Sequence, residues 1–198
     1  MGRWAPDARE RLQDAALELF SENGYEATTV AQIAERANLN RATFFRHFAD
    51  KREILFGGEE VLSGLFADAI RQAPDDADVS ACLAGALKAA DAVMTAEQRR
   101  RAAQRHRIAE ASVEVRERGL LKTAGIANSV VGSLLERGVE DLTARLGAEM
   151  LILAFSLALR RWIESATDEP FSQYGAAALA RLQERALQLG QGPPDFPA

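Results

Sequence analysis

Residues Thr28–Lys51 read TTVAQIAERANLNRATFFRHFADK. The spacing predicts two short helices joined by the turn Asn38-Leu39-Asn40. Thr28 or Thr29 caps the first helix, whose inward face is Val30, Ile33, Ala34 and Ala37. Asn40 caps the second, Arg41–Phe48, and Leu39 is expected to plug the turn. Two short helices that meet at a tight turn, with the small Ala34 at their approach, form the helix-turn-helix pattern. In that pattern the second helix lies in the major groove and its N-terminal residues face base edges. Here those residues are Arg41, Ala42 and Thr43. Arginine can donate a bidentate pair to guanine, and alanine or threonine can touch a thymine methyl. Between Arg36 and Arg52 there are five basic residues against one acid, Asp50. That local excess suits a phosphate backbone, and helix N-terminal amides add to it.

Outward from this stretch the chain reads as all-α. Upstream, Asp7 with Glu10 opens a helix whose apolar stripe is Leu12, Ala15, Ala16, Leu19 and Phe20, closed by Asn23-Gly24. Downstream, Asp50 and Glu53 read as a capping box that opens one helix running to about residue 73. Pro74 and three aspartates make a loop over 73–79. Further helices are expected over about 79–94, 95–111, 113–137, 140–167 and 170–189, the last opened by Pro170. The expected organisation is about nine helices in two domains. An N-terminal three-helix bundle with the helix-turn-helix takes 1–57, a helical ligand-binding and dimerisation domain takes 58–190, and 191–198 is a flexible Gly/Pro-rich tail.

Composition narrows the chemistry. The chain has 198 residues, a net charge of −5 and 47% hydrophobic residues, enough for a real core. The single cysteine, Cys82, makes no intramolecular disulfide and no Cys-rich metal site, and reads as a small buried hydrophobe. With two histidines, His47 and His106, and no metal-ligand spacing, nucleophile elbow or phosphate-cradling glycine loop, neither an enzyme nor a cofactor or metal is expected. The start has no secretory pattern, and the apolar run Met150–Leu159 is too short to span a bilayer. A soluble, cytoplasmic protein without membrane contact is therefore expected.

Over about residues 9–57 the chain resembles the TetR (tetracycline-repressor-like) family. The matching pieces are Phe20, Gly24-Tyr25, Thr28-Thr29-Val30, Ile33-Ala34, the run Arg41–Phe48 and Lys51. The resemblance implies a homodimeric, ligand-responsive repressor that binds a palindromic double-stranded operator and is released by a small molecule. It places Thr29, Phe45, His47 and Lys51 at backbone-contacting positions and Arg41, Ala42 and Thr43 opposite bases. Thr28, Val30, Asn40 and Arg46 complete the expected DNA-binding set. Phe45 stands where the family usually has tyrosine, so a phosphate hydrogen bond worth about 1 kcal/mol is lost there. Residues 95–165 resemble the C-terminal domain of mycofactocin-regulator-like members, through Arg99–Arg107, Val115–Arg118 and Leu159–Trp162.

For the C-terminal region two readings stand side by side. Phe66, Met94, His106, Phe155 and Trp162 are candidates for a ligand pocket wall, although core packing explains large apolar residues at helical spacing more simply. Arg99–Arg107 can bind an anion or can be a solvated helix face, and the solvated face is preferred. Leu146, Met150, Leu153, Leu157, Leu179, Leu182 and Ala186 are expected to form a two-helix dimer face on each subunit. The alternatives are a helical protein-interaction module that does not bind DNA and, behind it, a small-molecule enzyme.

Overall fold

The structure is a computed structural model, and it describes residues 7–56 and 58–189. The described residues form nine α-helices and no strand: α1 Ala8–Asn23, α2 Val30–Arg36, α3 Arg41–His47, α4 Glu59–Arg71, α5 Val79–Ala89, α6 Ala96–Ala111, α7 Val113–Glu136, α8 Asp141–Glu164 and α9 Phe171–Leu189. The expected tail, 191–198, lies outside the described residues.

The chain divides into two compact units. The first takes residues up to Glu59 together with Arg100–Lys122; the second takes Glu60–Arg99 and the residues from Thr123 onward. In the first unit α1, α2 and α3 close over Leu12, Ala16, Phe20, Ile33, Phe44 and Phe48, with Ile108 and Val115 in the same core. Each such buried large side chain contributes about 1.5–3 kcal/mol relative to its exposed form. Asp7 caps α1, accepting from the Glu10 amide at 2.9 Å. Gly24 ends α1 at φ 82°, where a side chain would be strained, and its amide donates to Phe20 O.

One expected helix is two pieces. Asp50 does accept from the amides of Arg52 and Glu53, at 2.8 and 3.0 Å. The helix it starts is only the 3-10 turn Glu53–Leu55, and α4 begins afresh at Glu59. The reason lies outside the local sequence. The Glu53 carboxylate does not reach back to close a capping box; it accepts from Arg118 and Lys122 on α7. Ile54 and Leu55 meanwhile turn into the core.

In the second unit α8 is the central element. Its small face, Ala144, Gly147, Ala148, Ala154 and Ala158, is buried with Leu151. A Cβ on Gly147 would come within 3.1 Å of Val79 Cγ1 and 3.3 Å of Leu134 Cδ1, so only glycine fits that approach without displacement. At 24 residues α8 is long and apolar enough by length and composition to cross a membrane, contrary to the expectation from its apolar run alone. Here its inner face is the core of the unit, packed by α5 and α9.

Candidate nucleic-acid interface

The helix-turn-helix forms where the sequence places it. Thr29, not Thr28, is the N-cap of α2, and Gln32 completes a reciprocal capping box with it. Asn38 takes φ 53°, a left-handed conformation that asparagine tolerates better than most residues. The turn is fastened from outside: the Arg11 guanidinium of α1 donates to the carbonyls of Ala37 and Asn38. Asn40 Oδ1 accepts from the Thr43 amide at 2.8 Å and so starts α3. Phe44 is fully buried and fixes the inner face of α3.

That orientation sorts the expected contacts. Arg41, Ala42, Phe45 and Arg46 are on the exposed face of α3, and Phe45 is 51% exposed. Thr43 is only 9% exposed and lies toward the core, so of the residues expected to face bases only Arg41 and Ala42 are exposed. Thr28 is 1% exposed, and its hydroxyl donates to Leu19 O and Gly24 O at 3.2 and 2.8 Å. It holds the end of α1 and is not available to DNA. Thr29 and Asn40 remain exposed, and Val30 is half-buried. His47 is half-buried, with Nε2 covered and without a hydrogen-bond partner. A phosphate contact through that atom requires the ring to turn.

The charge of the stretch is less free than its composition suggests. Arg36 is tied to Glu18 and Glu22, at 3.2 and 2.8 Å. Arg52 pairs with Asp50 at 2.6 Å and lies 3.5 Å from Glu114. The Arg36 hydrogen bond holds the Glu22 carboxylate below its ordinary range, against a smaller opposing effect of desolvation. The Lys51 ammonium donates to Tyr25 O at 2.7 Å and Thr28 O at 3.1 Å, above the Tyr25 ring. An ammonium has three donors, so one stays available to a phosphate. Of the five cations only Arg41 and Arg46 carry no ion pair or hydrogen bond among the described residues. They stand on the outer face of α3.

The ligand and dimer expectations divide as well. Phe66, Phe155, Phe171 and Trp162 stack in an aromatic series with centroid separations of 5.6, 5.1 and 5.7 Å. Phe66 and Trp162 are core, with Met94 and Phe155 packed against it. His106 does not join them. It belongs to the first unit and pairs with Glu110 one helical turn on. Two arginines of the segment are engaged within the fold. Arg99 donates to the carbonyls of Trp162, Ser165 and Thr167 and so caps the end of α8, while Arg101 pairs with Asp14 at 2.9 Å. A cleft of about 510 Å³ in the first unit is lined by Phe20, Tyr25, Arg107 and Ile108 among others; Arg107 belongs to the arginine segment weighed as an anion site, and none of the expected pocket-wall residues takes part. Leu146, Leu153 and Leu157 are exposed along one stripe of α8, and Leu142, which the sequence reading missed, extends it. Leu179 is 3% exposed and belongs to the core; Met150 and Leu182 are half-buried and Ala186 is exposed.

Residues 12–57 match the family model described as bacterial regulatory proteins, tetR family. The match covers α1 from Leu12, α2, α3 and the 3-10 turn, and the similarity to that family is over these residues. The chain is 40% identical to the transcriptional regulator TcmR of Streptomyces glaucescens over 81 residues, 41% of this chain and 36% of that one. It is 32% identical to the biofilm operon negative regulator IcaR of Staphylococcus epidermidis over 68 residues, 34% of this chain and 37% of that one. The matches thus span little more than a third of these relatives. Among solved structures, Salmonella enterica GusR superposes with a TM-score of 0.57 at 20% identity, covering 89% of this chain and 95% of that one. Thermus thermophilus FadR, a TetR-family repressor in complex with lauroyl-CoA, gives 0.53 at 22% identity, covering 96% and 98%. The shared feature at these identities is the all-helical TetR-type fold. The matched family is one of regulators, and the similarity falls on the helix-turn-helix segment.

Proposed function

We propose that this protein is a TetR-type transcriptional regulator that binds a palindromic operator as a dimer and is released by a small-molecule ligand, acting in the cytoplasm. The observation that carries the reading is the pair of uncommitted guanidiniums, Arg41 and Arg46, on the outer face of a capped helix whose inner face is locked by Phe44. A cation already paired to a carboxylate gains little from a phosphate; an unpaired one releases counterions and gains fully. Arg41, at the first position of α3, would read a base, and Arg46 the backbone. The exposed leucine stripe of α8 supports a second copy as partner, because apolar residues one to two turns apart make a helix–helix seam.

The small molecule would enter the second unit by parting the Phe66–Phe155–Phe171–Trp162 series, favouring a state whose recognition helices no longer match the groove. The kinship of residues 95–165 with mycofactocin-regulator-like members belongs to the same proposal. The bound acyl-CoA of the Thermus repressor makes acyl thioesters a sensible first ligand class to screen.

The test is a selection from random DNA followed by titration of the recovered site at two salt concentrations. Arg41→Ala should cost about 1–3 kcal/mol and relax one base position, whereas Arg46→Ala should weaken all sequences alike and lower the salt slope by about one. Recovery of no sequence, or indifference to both substitutions, would sink the reading and favour a protein-interaction module.

A further inference from the structure

Arg11 lies in the first turn of α1, where its backbone amide donates to Asp7 O. The next residue, Leu12, is fully buried in the core of the first unit and fixes the register of α1 there. The Arg11 guanidinium reaches a segment 26 positions away in the chain: Nη2 donates to Ala37 O and, at 3.3 Å, to Asn38 O. Those two carbonyls belong to the successive peptide planes on either side of Asn38. At φ 53°, Asn38 is the only non-glycine with a left-handed backbone among the described residues. Such a conformation persists where its surroundings determine it. The same two planes are also held from the other side, since the amides of Asn38 and Leu39 donate back to the carbonyls of Glu35 and Ala34. The amides fasten the turn to α2; Arg11 fastens it to α1 as well, through charge-assisted bonds.

We propose that Arg11 is a positioning residue for base reading, which clamps the turn at Asn38 against α1 and so fixes the angle at which α3 presents Arg41 and Ala42. Phe44 locks α3 about its own axis, and Asn40 starts its first turn. Neither ties the entry of α3 to α1, and the Arg11 fork does. The consequence for DNA rests on the operator-binding reading, whereas the clamp is a property of the free protein. Without the clamp, an operator has to select one angle of α3 from several, and that cost falls on binding that uses base edges. Contacts to phosphate and sugar carry no base information and do not depend on the angle in the same way.

The experiment uses the full chain with Arg11→Met, which keeps the apolar stem and removes the donors. In the free protein the carbonyl carbon shifts of Ala37 and Asn38 should move, while those in the middle of α1 keep their values. On the operator recovered by selection, affinity should fall about tenfold, the scale of one charged hydrogen bond, with the preference at the base read by Arg41 relaxed. Affinity for a scrambled duplex and the salt slope should stay at the wild-type values, because a positioning residue neutralises no phosphate. An equal loss on both duplexes with a smaller salt slope makes Arg11 a phosphate contact and overturns the proposal, as do unmoved carbonyl shifts or an unchanged operator affinity. If Arg11→Met does not fold, Arg11→Lys, which keeps the charge and lacks the planar fork, is read in the same way. If the wild type selects no DNA sequence, the operator reading fails by itself, and the carbonyl shifts decide whether Arg11 clamps the turn.

Discussion

The Lys51 ammonium sits 2.7 Å from the carbonyl oxygen of Tyr25 and 4.0 Å from the centre of that residue's ring. A side chain expected to meet a phosphate is thus first a brace, since it also bonds Thr28 O and so spans the loop between α1 and α2. Lys51→Met should destabilise the free protein by about 2 kcal/mol, the scale of hydrogen bonds to a charged donor. Urea unfolding without DNA reads this directly. Unchanged stability with weakened DNA binding would return Lys51 to a purely phosphate-contacting role.

Phe45 is 51% exposed on the outer face of α3, an unusual position for a bare aromatic ring. Phe45→Tyr should leave stability within about 0.5 kcal/mol, because the added hydroxyl points to solvent. On operator DNA it should gain about 1 kcal/mol through one phosphate hydrogen bond. Parallel thermal melts and DNA titrations measure the two effects, and a gain in stability without a gain in affinity would show that the ring is not at the DNA surface.

Two leucines on adjacent helices separate assembly from folding. Leu146 is 60% exposed on α8, whereas Leu179 is 3% exposed on α9. Leu146→Asp combined with Leu153→Asp should convert a dimer to a folded monomer, seen by sedimentation, with helicity retained. Leu179→Ala should cost about 2–5 kcal/mol of stability through the cavity it leaves, at unchanged oligomeric state. A dimer that persists with both aspartates in place would move the interface off α8.

Acid should act on the first unit through the carboxylates of Glu53 and Asp50. Burial raises the Glu53 carboxyl, but Arg118 and Lys122 overcome that and hold it below its ordinary value of 4.5. The Arg52 hydrogen bond likewise lowers Asp50 below 3.8. Both contribute stability that is present above those ordinary values and is lost as pH falls through the depressed folded ones. Thermal stability should therefore drop below about pH 4.5, and Glu53→Gln should be less stable at neutral pH with a shallower acid slope. An unchanged acid limb in that variant would remove the Glu53 cluster from the explanation.

The helices, their caps and the turn between α2 and α3 are local, and the sequence carries them openly. Asp7, Thr29, Asn40 and Asp78 each accept from an amide three residues on. Such bonds depend only on a short stretch of chain. The apolar stripe of α1 and the burial of Ile33, Ala34 and Phe44 follow from the same helical period. The break at Gly58 was not legible, because Glu53 reads as a cap partner until Arg118 and Lys122, more than sixty positions later, claim it. Nor was the division of the leucines on α8 and α9 legible, since periodicity shows that a helix has an apolar face and not which neighbour covers it.

The sequence by itself determined an all-helical chain with a helix-turn-helix segment similar to the TetR family and placed Arg41, Ala42, Phe45 and Arg46 on its second helix, α3. Only the tertiary structure decided which of its charges are free. Arg36, Lys51, Arg52, Arg99 and Arg101 are each held by a distant carboxylate or carbonyl. Composition counts charges, but the field at a surface depends on which of them folding has already paired.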